Sequence, residues 1–160
     1  MKIFFTVSLI LLGLVSLAQN PTRLVNDHFA VRPFGFELTE SNLKRIGDFR
    51  QVQKRPVANT HHAGVIDTIV TYKLQNDEIV FLRTSKKSFF TEAIITSNKT
   101  ILTDGIHVGL SADSVCMKLG LKAKSTISQI IVNDETEYSL HTLVFSQGRL
   151  LKVYLKRRID

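Results

Sequence analysis

Apolar residues recur with helical spacing near residue 111 and alternate with polar residues in the segments on either side. Ser111 suits the N-cap of a helix, because its hydroxyl can accept a backbone N–H one turn later. Gly120 can take the left-handed conformation that ends a helix. The pattern therefore predicts a short helix between these two residues. Its apolar stripe, at positions i, i+3, i+4 and i+7, consists of Ala112, Val115, Cys116 and Leu119.

Six segments have the alternation and the β-branched content that are typical of strands, and short polar turns separate them. In the last segment, alternation predicts that Leu151, Val153 and Leu155 face one side of the sheet. The other side then carries Lys152, Tyr154 and Lys156. The six predicted strands are residues 65–74, 79–83, 89–96, 126–132, 138–146 and 150–156.

A second capped helix is predicted over residues 39–47, with Thr39 as its cap and Gly47 at its end. The caps Thr39 and Ser111 are 72 residues apart, and the closing glycines are 73 residues apart. This weak repeat predicts an α+β fold of two tandem αβββ units, residues 35–103 and 104–160, which could form one continuous domain. The helices would cover one face of an antiparallel sheet, and the opposite face would be open for binding.

Residues 1–18 have the features of a signal peptide. Lys2 precedes an apolar run over residues 3–15, and Ala18 supplies a small residue for cleavage before Gln19. A signal anchor is the alternative, although the run is shorter than a membrane-spanning helix needs. We expect an exported protein, periplasmic or secreted, without a stable membrane anchor after cleavage. Residues 19–34 are predicted to be a flexible leader, and residues 48–62 an irregular loop.

The chain carries 21 Lys and Arg against 14 Asp and Glu, a formal net charge of +7. Such an excess attracts anionic surfaces, although it is also compatible with ordinary solvated charges. Because a signal peptide is predicted, nucleic acid is not expected as a partner. Cys116 is the only cysteine, so no intramolecular disulfide can form. Its position on the apolar stripe predicts a core residue.

No sequence motif identifies catalytic chemistry, a cofactor or a metal site. The adjacent His61 and His62 lack the helical i, i+4 spacing of a metal-binding pair. Three carboxylates could still converge in space for acid–base chemistry, namely Asp67, Glu92 and Asp113. The candidate partner-binding residues are those of the last strand that combine an aromatic ring with positive charge, namely Lys152, Tyr154 and Lys156.

Residues 105–115, the Leu119–Gly120 pair and the predicted meander that follows resemble a pattern of small periplasmic modules. The pattern is similar to that of the outer-membrane assembly lipoprotein BamE (SmpA) and of the β-lactamase inhibitory protein. The resemblance covers residues 104–156 and extends faintly to residues 35–96. It implies a non-enzymatic protein that presents a sheet face to other envelope proteins. The chain lacks the lipidated cysteine of the first family and the disulfides of the second.

Three functional hypotheses follow. The first is an exported binding or assembly module that presents a sheet face or edge to an envelope or extracellular protein. The second is a basic protein that binds anionic glycan or lipid headgroups. The third is a small secreted hydrolase whose residues converge from separate strands. A salt-sensitive interaction would favour the second hypothesis, because salt screens exposed charges.

Overall fold

The computed structural model describes residues 20–124 and 126–159, and within them one eight-stranded sheet forms the body of the protein. Residues 1–19, which contain the predicted signal peptide, lie outside the described residues. The strands are β1 (Thr22–Val25), β2 (Arg50–Ala58), β3 (Ile66–Leu74), β4 (Asp77–Arg83), β5 (Ser88–Ile95), β6 (Gln129–Asn133), β7 (Ser139–Ser146) and β8 (Arg149–Arg157).

Short helical segments in the described part of the chain supply buried side chains to a single core against one face of the sheet. None of these helices has the length and apolar character needed to cross a bilayer. The helical segments are α1 (Asp27–Val31), a 3₁₀ helix (Glu40–Arg45), a 3₁₀ turn (Thr103–Gly105) and α2 (Ala112–Lys118).

The strand order is β1-β6-β7-β8-β5-β4-β3-β2, with β1 parallel to β6 and every other neighbouring pair antiparallel. The prediction of two tandem αβββ units is therefore wrong. Four strands, β2 to β5, follow the 3₁₀ helix, and β1 joins the far end of the sheet. The repeat rested on two similar helix caps, and a cap is a local feature that does not dictate strand pairing. Since β5 pairs with β8, the apolar faces of both halves merge into one core.

Helix α2 confirms its prediction. The Ser111 hydroxyl accepts the Ser114 N–H at 3.2 Å, and Gly120 adopts a φ of +76° just beyond the helix. All four residues of the predicted stripe, Cys116 included, are buried. Burial raises the pKa of the Cys116 thiol, which favours the unreactive protonated form. Cys116 is thus a core residue, as its position on the stripe predicted.

Strand β2 occupies residues that were predicted to form an irregular loop, and that prediction is wrong for residues 50–58. It pairs with β3 on one side only, because it lies at the edge of the sheet. Nearly all of its side chains are exposed, so its sequence needs no apolar alternation. Pro56 is tolerated there, since an edge strand leaves alternate N–H groups without a sheet partner.

The segment assigned to the leader contains β1 and α1, which the sequence analysis did not predict. The Asn26 side chain caps α1 by accepting the Phe29 N–H at 3.0 Å. Phe29 is 0% exposed and packs edge-on against the ring of His141. Both elements are too short to show a periodic pattern, and their burial depends on contact with β6 and β7.

The helix predicted over residues 39–47 forms as a 3₁₀ helix behind a capping box, in which the Asn42 side chain accepts the Thr39 N–H at 2.8 Å. Glu40 connects it to the sheet by accepting from Tyr72 Oη at 2.8 Å and from the Arg83 guanidinium. Burial raises the pKa of Glu40, but the hydrogen bonds from Arg83 and Tyr72 outweigh this effect. The pKa of Glu40 therefore lies below its ordinary value of 4.5, so the ionised form of the carboxylate is stabilised.

Asp77 is a fully buried carboxylate that organises the loop after β5. Its Oδ1 accepts the backbone N–H groups of Thr96 and Ser97 at 2.7 and 2.8 Å. Its Oδ2 accepts the hydroxyls of Ser97 and Thr100, each at 2.6 Å. The Thr96 hydroxyl also donates to Oδ1, at 3.4 Å. One side chain therefore accepts five hydrogen bonds, two of them from the backbone.

His141 is a second buried polar group, and it joins α1 to the sheet. Its Nδ1 accepts the Lys156 N–H at 3.2 Å, so its Nε2 is the protonated nitrogen that donates to the Ala30 carbonyl at 2.8 Å. Burial lowers the pKa of the imidazole below 6.5, against the opposing effect of the Ala30 carbonyl. Asp134 raises this pKa and Arg157 lowers it further. The folded protein thus holds His141 neutral.

This arrangement predicts a loss of stability in mild acid. Because the His141 pKa is lower in the folded than in the unfolded state, the unfolded chain binds a proton first as the pH falls. The stabilisation that neutral His141 provides is complete above a pH of about 6.5. It declines as the pH falls from there toward the pKa of His141 in the folded protein. We expect the urea midpoint of unfolding to fall between about pH 7.5 and about pH 5.5.

The variant His141→Gln cannot titrate, so its urea midpoint is expected to change less over the same pH interval. His107→Gln is the matched control, because the His107 ring is only partly buried and its Nδ1 contacts the Gly105 carbonyl at 3.0 Å. It should keep the pH dependence of the parent protein. Equal pH dependence in all three proteins would contradict the role assigned to His141.

Candidate functional site

The open face of the sheet, opposite the helices, is built by strand alternation. On β8, Val153 and Leu155 are buried in the core, so the side chains between them point to the opposite face. Lys152, Tyr154 and Lys156 therefore share this face.

Leu151 departs from its prediction. It is exposed, because the β7–β8 register shifts between Val144 and Phe145 and leaves Leu151 as the extra residue of a β-bulge. Leu150 takes the core position instead. The alternation that starts at Lys152 is unaffected, because it lies beyond the bulge.

Neighbouring strands extend the surface around Tyr154. In the register, Thr142 of β7 is opposite Tyr154, and Leu140 is opposite Lys156. Arg23 of β1 is paired with Ile131 of β6, which in turn is opposite Thr142. These side chains therefore line one continuous face. We call this surface the basic half-face and define it by Arg23, Leu140, Lys152, Tyr154 and Lys156.

The basic half-face combines exposed apolar area with positive charge. Leu140 is 47% exposed and Tyr154 is 39% exposed, and both lie among the lysines. Lys152 Nζ lies 4.6 Å from the centre of the Tyr154 ring, which is a cation–π arrangement. A cleft of about 220 Å³ lies beside them, lined in part by Arg23 and Lys156.

Within residues 20–124 and 126–159, no ion pair neutralises the positive charges of the basic half-face. The ion pairs among the described residues are His28–Asp104, Lys73–Glu78 and Arg83–Glu40, none of which includes Arg23, Lys152 or Lys156. Glu92 of β5 is the strand partner of Lys156 and is the acidic residue that borders the half-face on that side. On β3 and β4 the open face is closer to neutral, since Lys73 pairs with Glu78 at 3.0 Å.

The three carboxylates considered for acid–base chemistry do not form one cluster. Asp113 lies in the first turn of α2, on the side of the sheet that carries the core. Asp67 and Glu92 lie on the open face, but on β3 and β5, which are separated by β4. Within residues 20–124 and 126–159, no group of three or more His, Cys, Asp or Glu side chains is arranged to hold a metal ion.

Arg23 and Leu140 belong to the basic half-face, although the sequence pattern does not predict it. Arg23 was placed in the leader, and Leu140 was one residue of a predicted strand whose faces were not assigned. A signal did exist for Leu140, because it alternates with the buried Ser139 and His141. This signal can be interpreted only when the structure shows that Ser139 and His141, and not Leu140, face the core.

Comparison of the chain with protein-family models, with characterised proteins and with solved structures found no match.

Proposed function

We propose that this protein is an exported, non-enzymatic binding module of the cell envelope, and that its basic half-face docks an acidic protein partner. The observation that carries the proposal is the combination of exposed Leu140 and Tyr154 with three cations that take part in no ion pair within the described part of the chain. The resemblance to envelope modules that present a sheet face supports the same function.

The composition of the half-face favours a protein partner. Protein interfaces place aromatic and apolar residues at the centre and polar or charged residues at the rim. Tyr154 is central on β8, with Lys152 and Lys156 two residues away on either side. Tyrosine is common among the residues that dominate binding energy, since its ring buries much area at a small entropic cost. The lysines would favour an acidic partner and accelerate its association.

The test is a pull-down from the envelope fraction of the source cells, followed by affinity measurement with each captured protein. Two variants are compared with the parent protein. The first combines Lys152→Glu with Lys156→Glu, and the second carries Tyr154→Ala alone. We expect each to weaken binding of the specific partner roughly tenfold or more. The charge-matched control is Lys44→Glu with Lys54→Glu. Lys44 lies on the 3₁₀ helix, and Lys54 pairs with the buried Val70 and so lies on the helix side of the sheet.

A partner that binds the parent and the control, but not the half-face variants, supports the proposal. Its binding should persist at about 0.5 M salt, because the apolar contacts are not screened. Binding that disappears with salt and is insensitive to Tyr154→Ala would instead support the alternative, an anionic glycan or lipid headgroup. Equal capture by all variants would contradict a role for the basic half-face.

A further inference from the structure

A cavity of about 450 Å³ lies at one end of the open face, between the loop that joins β2 to β3 and the loop that joins β4 to β5. It is lined by apolar side chains that include Val65, Leu82 and Phe89. Lys86 and Lys87 also line it and are exposed. Its most deeply buried lining residue is Asp67, which is 4% exposed. The cavity thus combines a buried negative group with an exposed positive edge.

The Asp67 carboxylate is only half satisfied. Its Oδ2 accepts from Asn59 Nδ2 at 2.7 Å, whereas its Oδ1 is buried and has no hydrogen-bond partner among the residues that the structure describes. Buried acceptors in folded proteins are nearly always paired, so an unpaired carboxylate oxygen on a residue that lines a cavity indicates a missing donor. The ion pairs of the described residues do not include Asp67, so its charge also lacks a direct partner.

Both loops are held in place by their own side chains. Asn59 Oδ1 accepts the N–H groups of His61 and His62, each at 2.8 Å. Thr84 Oγ1 accepts the N–H groups of Lys86 and Lys87, each at 3.2 Å. A ligand therefore meets loops that are already ordered, and this lowers the entropic cost of binding.

The other lining residues specify the rest of the ligand. Lys87 Nζ lies 4.4 Å from the centre of the Phe89 ring, so a positive charge and an aromatic surface stand side by side. Lysine is a common partner for phosphate and carboxylate groups. The ring offers an apolar surface to the C–H groups of a sugar. A neutral apolar ligand would leave Asp67 and both lysines without partners.

We propose that this cavity binds a monosaccharide unit that bears a phosphate or carboxylate group. A sugar hydroxyl donates to Asp67 Oδ1, and the anionic group lies at Lys86 and Lys87. The unit is either a free sugar acid or sugar phosphate or the terminal residue of an anionic glycan, since both present the same chemistry. This site goes beyond the proposed docking function, because it uses β3, β4 and β5 and no residue of the basic half-face.

The test is a titration of the purified protein with glucose 6-phosphate and with glucuronic acid, followed by amide NMR. An oligosaccharide that ends in glucuronic acid represents the glycan source. Glucose presents only the sugar, and inorganic phosphate presents only the anionic group. We expect saturable shifts at Asn59, Thr84 and Lys87 with an anionic sugar, and much weaker shifts with glucose or phosphate alone. Preference for the free sugars or for the oligosaccharide would identify the source.

Asp67→Asn keeps the shape and the contact with Asn59 but removes the charge. It should weaken binding of the anionic sugar about tenfold or more, because hydrogen bonds to charged groups are the strong ones. Lys86→Ala with Lys87→Ala changes exposed residues only and should weaken binding of the anionic probes. The control, Lys44→Ala with Lys54→Ala, removes the same number of charges on the helix side of the sheet and should bind the sugars as the parent does. No saturable binding by any sugar, or unchanged binding in both cavity variants, would overturn the proposal.

Discussion

Replacing Phe29 by alanine is expected to lower the free energy of unfolding by about 3–5 kcal/mol, as large-to-small changes of buried aromatics do. Phe29 is 0% exposed and belongs to the main core, although it lies in a five-residue helix near the start of the described chain. Its removal leaves a cavity between α1 and the sheet, next to the His141 ring. The measurement is urea unfolding at neutral pH, followed by circular dichroism and by tyrosine fluorescence.

Val31→Ala is the matched control, because Val31 lies in the same helix but is exposed. Its effect should stay within about 0.5 kcal/mol, as is usual for surface positions. If Phe29→Ala were as stable as Val31→Ala, residues 22–31 would be a dispensable leader after all. A large difference between the two variants would establish α1 as part of the cooperative fold.

Replacing Asp77 by alanine is the second change with a large expected effect, a loss of about 3–5 kcal/mol in the free energy of unfolding. The alanine leaves the N–H groups of Thr96 and Ser97 without their acceptor, together with the hydroxyls of Ser97 and Thr100. Unpaired donors at a buried site carry the full cost of desolvation. Urea unfolding gives the size of the loss, and amide hydrogen exchange at Thr96 and Ser97 shows where it arises.

Asp77→Asn separates the shape of the side chain from its charge. The asparagine oxygen can accept the two backbone N–H groups, and its amide can donate to the two hydroxyls, which also act as acceptors. We expect this variant to lose clearly less stability than Asp77→Ala and to retain protection of the two amides. Equal losses in the two variants would mean that the network contributes through charge alone and not through its hydrogen bonds.

The sequence predicted one part of the candidate site and could not predict another. Lys152, Tyr154 and Lys156 lie two residues apart, and the side chains of a strand alternate between faces, so their common face follows from local geometry. Arg23 and Leu140 join them only because β1 pairs with β6 and β7 pairs with β8. The cavity beside Asp67 likewise forms only because the loop between β4 and β5, which belongs to another part of the chain, lies next to the loop between β2 and β3.

The sequence by itself determined the elements whose pattern is local and strong. These are helix α2 with its Ser111 cap and Gly120 end, and the alternating strands from residue 66 onward. Helix caps and strand alternation depend on neighbours within a few residues, so a single chain displays them directly.

Only the tertiary structure decided the single mixed sheet, the edge strand β2 and the inclusion of β1 and α1 in the fold. Pairing between distant strands is chosen by the burial of a shared apolar face, and that burial is a property of the whole chain. An edge strand such as β2 buries little, so no apolar pattern marks it. A five-residue helix such as α1 is stable only through packing, here through Phe29, and its own sequence is too short to show it.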